Sequence, residues 1–235
     1  LGAENTKKTT QPTDSAQVIT TKSLVEATNW HRKRLFGALR DDAKERPFLV
    51  LLKGRNEDDL QVKGQDRDFF YLTGWQEPDG AVLLMSTGKD DREVLFIPQR
   101  DPGSERWTGP KLGPGDRDEA GEPDAEKKAA LAATGFAAIE AADDLSEFMN
   151  SFLRRYDDAI LYLPLPALDP EEPLTEAHEL VEKLRPRVPG LGARDVNPHL
   201  HPLRLVKDAW ELEQLRSSIG ITCAALNRVM KTFHP

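Results

Sequence analysis

Cysteine is almost missing from this chain. Cys223 stands alone, which excludes an internal disulfide and any multi-cysteine zinc site. Long hydrophobic runs are missing too: nothing approaches the roughly 18 consecutive apolar residues that span a bilayer. Positive charge is in deficit, with 32 Lys and Arg against 40 Asp and Glu and a net charge of −8. That balance argues against a nucleic-acid partner, because phosphates demand a basic face. Familiar catalytic signatures are also lacking. The glycines of "GPKLGPG" (109–115) have no following Lys-Ser/Thr and no strand-to-helix setting, and neither a G-x-S-x-G elbow nor a His-Glu-x-x-His pair occurs.

What is present describes a soluble α/β protein. Of 235 residues, 38% are hydrophobic and 31% charged, enough for one large domain or one domain plus part of another. Residues 1–22, rich in Thr, Gln and Lys, read as a disordered leader. Such a stretch follows a cleaved export signal or is an arbitrary end; export, to a periplasm-like compartment, is favoured over a cytoplasmic location. Ser23 with Glu26 makes a capping-box start, and Leu24, Leu35, Phe36 and Leu39 give the first helix an apolar face.

Apolar runs at 48–52, 81–85, 94–97 and 159–164 predict buried strands, with a shorter fifth at 135–140. "STGKDDRE" (86–93) is a polar hairpin turn between two of them. Helical patterns at 124–133, 144–155 and 174–184 alternate with the later strands, so the fold class is α/β, a mixed sheet flanked by helices. Residues 101–123, with Pro102, Pro110, Pro114 and Pro123, read as a long ordered loop or an excursion, and such loops often carry function.

In a chain that is 7% aromatic, Phe69, Phe70, Tyr71 and Trp75 fall within seven residues. Period-two alternation reads them as a central strand, with Phe69, Tyr71 and Thr73 on one face and Phe70 and Leu72 on the other. Gly74 then turns the chain and Trp75 lines the turn. His199 and His201 would share a face of a strand and suit zinc or copper, but no third ligand is near and flanking Pro198 and Pro202 favour a structural role. His178 reads as part of a solvated helix face. The adjacent acids Asp41–Asp42, Asp58–Asp59 and Glu171–Glu172 point apart on any regular element and read as solvated. Asp66 and Asp68 read as a polar strand entrance.

After residue 198 the pattern changes to a connector and one long helix. Asp208 caps it with Glu211 three on, and Leu212, Leu215, Ile219, Cys223, Leu226 and Met230 make a stripe that needs a partner surface. The expected organisation is a leader (1–22), a first domain (23–202) and a connector with the first helix of a second domain (203–235).

Two segments carry a resemblance. "QDRDFFYLTGWQEPDGAVLLM" supplies Asp68, Phe69, Tyr71, Leu72, Thr73, Gly74, Glu77 and Pro78 in a D-F-x-Y-L-T-G-x-x-E-P pattern. "LFIPQRDPGSERWTGPKLGP" (95–114) supplies Glu105, Trp107 and Gly109 in E-x-W-x-G. Order and spacing resemble the amino-terminal domain of the aminopeptidase P (Xaa-Pro aminopeptidase) family, and Arg204, Lys207, Glu211 and Glu213 hold the places of that family's inter-domain segment. One departure is Gly64, where relatives commonly have arginine; Lys63 or Arg67 is the nearest charge.

The resemblance implies a ribonuclease-H-like mixed sheet here and a "pita-bread" catalytic domain downstream. It implies two divalent metal ions there, manganese by expectation, held by two Asp, one His and two Glu, with no metal ligand or catalytic residue in this chain. It implies peptides with proline in second position as substrates and a homo-oligomer, dimer or tetramer. For this domain it implies substrate access and assembly, with Trp107, Glu105 and Trp75 as access residues and Trp107 able to approach a neighbour's active site. The alternatives are a binding or oligomerisation module of a pseudoenzyme, and a creatinase-type amidinohydrolase, which shares both folds and uses no metal.

Overall fold

A computed structural model describes residues 23–232; the expected leader, 1–22, lies outside the described residues. These fall into two compact units, one ending at Lys207 and the other beginning at Asp208.

The larger unit is built on a six-stranded sheet of order β4-β3-β2-β1-β5-β6. Its strands are β1 (Phe48–Lys53), β2 (Ala81–Ser86), β3 (Asp91–Ile97), β4 (Ala138–Ala141), β5 (Ile160–Leu163) and β6 (Gly192–Asp195). β1–β2 and β2–β3 are antiparallel, with Val50 opposite Leu84 and Leu83 opposite Val94. The β1–β5, β3–β4 and β5–β6 pairs are parallel. The mixed sheet expected from the alternation is therefore present, with β6 as an edge strand that its sequence, Gly-Ala-Arg-Asp, does not advertise.

Successive strand residues feed opposite layers. Phe48, Val50, Leu52, Val82 and Leu84 join one cluster, closed by α1 (Leu24–Ala43), α3 (Arg67–Thr73), α5 (Ala125–Thr134) and α8 (Asn197–Leu205). Leu49, Leu51, Leu83 and Met85 join the other, closed by α6 (Leu145–Arg155) and α7 (Glu176–Leu184). A short α2 (Glu57–Lys63) and α4 (Pro102–Thr108) decorate the end of the sheet where β1 and β3 finish.

The aromatic cluster corrects the strand reading: residues 67–73 are helical. Asp66 caps α3, its Oδ1 accepting from Asp68 N and Phe69 N at 3.0 Å each, and Gly74 ends it in the left-handed region at φ 67°. Two caps spaced for two turns of helix outweigh the strand preference of the aromatics. Phe69 and Leu72 are fully buried, and Thr73 hydrogen-bonds back to Phe69 O at 2.8 Å.

α1 is fixed by a buried cation. Arg32 is wholly buried. It holds Glu93 of β3 through Nε (2.6 Å) and Nη2 (3.1 Å), donates to Leu72 O at 2.8 Å and to Gly135 O, and stacks 3.9 Å over Phe136. The second unit is α9 (Ala209–Thr232). Asp208 and Glu211 form the reciprocal capping box anticipated from their spacing, at 2.7 and 3.0 Å.

The Arg32–Glu93 pair orders two substitutions. Glu93→Gln strands a fully buried cation and should cost about 3–5 kcal/mol of unfolding free energy. Arg32→Met leaves a carboxylate that is 20% exposed and can hydrate, so it should cost less, about 1–3 kcal/mol. Urea unfolding with the opposite order would contradict this account of the pair.

Candidate substrate-access surface

The segment expected to be a loop, 101–123, begins with a helix. Asp101 Oδ1 accepts from Gly103 N at 2.9 Å, Pro102 occupies the first turn, and Gly109 ends α4 at φ 84°. Asp-Pro before and Gly after are the start and stop signals legible there.

Glu105 holds this helix down. Its carboxylate takes a two-pronged grip from Arg100 (Nε 2.7 Å, Nη2 2.6 Å), and its side chain is 10% exposed. The Arg100 hydrogen bonds come first among the causes that hold its carboxyl below the usual glutamate range. Two residues on, the indole of Trp107 is 91% exposed. The helix therefore presents one large aromatic face to solvent from a base clamped by an ion pair.

Trp75 plays a different part. It is 6% exposed and belongs to the core cluster under α1 and α3. Its Nε1 is buried, without a hydrogen-bond partner among the described residues. Trp75 and Glu105 meet as walls of one cleft of about 160 Å³, with Pro78, Arg100, Ser104 and Lys111. Lys111 crosses to Glu77 of the shared motif at 3.3 Å. Trp107 lies outside that lining.

The other singled-out residues are placed as follows. His199 and His201 lie on α8, a helix where a connector was expected, and turn to different acids. His199 Nε2 is 3.7 Å from Asp42 and His201 Nε2 is 3.3 Å from Asp68. They do not converge on a metal site. Asp42 is no free surface acid: it accepts from Tyr162 Oη at 2.5 Å and Arg194 Nη1 at 2.6 Å. Burial pushes its carboxyl up, but those bonds prevail and leave it below the ordinary range. Asp68, read as a strand entrance, accepts from Arg204 at 2.6 Å. His178 bonds to Thr175 at the start of α7, at 2.7 Å. Near Gly64, Arg55 donates to Lys63 O and Gly64 O at 2.9 and 2.7 Å, and Lys63 pairs with Asp59. Gly64 sits at φ 68°, a backbone an arginine would strain to adopt.

Two substitutions separate the tryptophans. Trp75→Ala should lower unfolding free energy by about 3–5 kcal/mol, while Trp107→Ala should stay within about 0.5 kcal/mol of the parent; equal losses in urea would show Trp107 to be packed. For Glu105, a carboxyl carbon titration should find its midpoint below the usual glutamate range, and Arg100→Gln should bring it back up. A midpoint indifferent to Arg100 would remove the clamp.

Comparison with known proteins bears on these motifs. Residues 51–162 match the family model described as aminopeptidase P, N-terminal domain. Mouse Xaa-Pro aminopeptidase 3 is 33% identical over 178 residues, covering 71% of this chain and 30% of that protein. Proline aminopeptidase P II from Yersinia pestis superposes with a TM-score of 0.62 at 26% identity, over 88% of this chain and 46% of that one. A zinc-substituted Escherichia coli aminopeptidase P in complex with product superposes at 0.63 with 24% identity, over 88% and 46%. The chain thus spans less than half the length of these relatives. Through its sheet, its paired motifs and these likenesses, the chain belongs to the aminopeptidase P family, of which it carries the amino-terminal domain.

Proposed function

We propose that this chain is the access-shaping and assembly part of a metallo-aminopeptidase that removes the first residue from peptides with proline second. Catalysis would lie in a domain encoded further along the gene. The observation that carries this reading is Trp107: of the shared motif residues, it is the one offered almost whole to solvent, on a helix whose base is clamped. A rigid, exposed indole costs little entropy to dock and suits contact with a short peptide or a neighbouring subunit's cleft. Glu105 serves by holding α4, and Trp75 by flooring the cleft beside it.

Two further features support it. On α9, Leu212, Leu215, Ile219, Leu226 and Met230 remain between 39% and 65% exposed, a stripe that a further packed layer would cover. The relatives' names speak of Xaa-Pro aminopeptidases, and one is described as zinc-substituted. Two divalent ions, manganese in our reading, would be held in the second domain and would supply Lewis acidity and a nucleophile at neutral pH. In the larger unit His199 and His201 face Asp42 and Asp68, His178 bonds to Thr175, and His31 Nδ1 meets the Tyr71 carbonyl at 2.8 Å. What this chain contributes is shape: it would narrow the approach so that only chain ends enter, and join subunits into a dimer or tetramer.

The test is a longer form of the protein that includes the downstream region, loaded with manganese. It should release the first residue from an X-Pro peptide, and the 235-residue chain should not. Trp107→Ala in that form should lower kcat/KM by about tenfold, the scale of a truncated contact residue, with folding intact. No release by the metal-loaded protein would leave the pseudoenzyme reading, and creatine hydrolysis the amidinohydrolase one.

A further inference from the structure

α8 is the last helix of the larger unit, and the chain runs from it through Val206 and Lys207 to Asp208, where the second unit begins. Its start is fixed. Val196 is wholly buried and donates to Leu163 O at 2.9 Å, and Asp195 accepts from Asn197 N at 3.1 Å. Beyond that point its apolar hold is thin: Leu200 is the helix's buried residue, and Leu203 packs at the core margin. Pro202, inside the helix, removes a backbone donor.

Polar bonds take over where apolar burial ends. Asp68 and Tyr71 are three apart on α3 and so share a face. Asp68 accepts from Arg204 Nη1 at 2.6 Å and lies 3.3 Å from His201, while the Tyr71 hydroxyl donates to Leu203 O at 3.1 Å. On the other side, Asp42 of α1, already engaged by Tyr162 and Arg194, stands 3.7 Å from His199. Bonds of this kind break one by one without opening a core, and segments held by few buried apolar groups open locally.

We propose that α8 is a latch. It undocks as a piece, hinging after Val196, while the sheet and α1 stay folded, and Asp68 and Tyr71 are the positioning residues that hold it closed. The D-F-x-Y pattern then divides its labour: Phe69 goes to the core and Asp68 and Tyr71 to the latch. No part of this depends on peptidase activity.

Amide hydrogen exchange on the 235-residue chain tests it. Leu200–Leu205 should exchange through an opening that leaves β1, β2 and β5 protected. Asp68→Asn should speed α8 exchange by about tenfold, the scale of a lost charge-assisted bond, with the strands unchanged. Tyr71→Phe, which keeps the buried ring, should speed it a few-fold with the same selectivity. Arg204→Gln guards against a folding defect in α3, and combined with Asp68→Asn should add little to either alone. If α8 in the parent exchanges only together with β1 and β5, or if these variants speed strands and helix alike or leave α8 unmoved, the latch is wrong.

Discussion

A guanidinium with no contact with water must find its partners inside the protein, and Arg32 finds them on three separate segments. Glu93 comes from β3, the Leu72 carbonyl from the end of α3, and Gly135 with Phe136 from the turn after α5. Removing any one would leave charge or hydrogen-bonding capacity buried and unmet, at a cost that is a large part of a domain's net stability. α1 therefore has one place to sit. Because Leu72 is one of the partners, the same cation fixes where α3 ends, hence where Gly74 turns and where Trp75 enters the core. Trp75 lines the cleft beside α4, so that wall depends on where α3 ends.

The shared motifs are explained by this chain of constraints more than by contact with any substrate. Asp68 and Tyr71 bond to α8, and Phe69 fills the core. Thr73 bonds back along its own helix, and Gly74 supplies the left-handed cap. Glu77 reaches Lys111, and its carbonyl accepts from Gln65. Glu105 is taken up by Arg100.

Much of the architecture is readable in the amino-acid order because the strands bury both faces. Phe48–Leu52, Ala81–Met85 and Ile160–Leu163 are runs that only a covered sheet accommodates, and the expected strands agree with the observed ones there to within about a residue or two. The failures have separate causes. Over Phe69–Thr73 an apolar run is compatible with helix or strand, and the choice rests with Asp66 and Gly74, whose capping role emerges only once their backbone angles are seen. β6 has no apolar signature because a short edge strand does not need one. α8 is hidden by Pro198 and Pro202, the first of which sits harmlessly in the opening turn. The tie of Asp68 to Arg204 joins residues 136 apart, and no local pattern announces it. At the candidate site, the motif marks Trp107, but nothing in it marks Trp75 as core. Both are tryptophans beside turns, and only burial tells them apart.

That difference settles where a functional reading can rest. An indole surrounded by core explains itself through the area it removes from water. An indole left 91% exposed forgoes that gain, and Trp107 stands two residues beyond the Glu105 that Arg100 holds. In the reading proposed above, a partner covers that indole and recovers the gain. The stripe on α9, in the unit that follows, is a second apolar surface left exposed. On that reading the larger unit closes its own core and leaves the tip of α4 for another surface to cover.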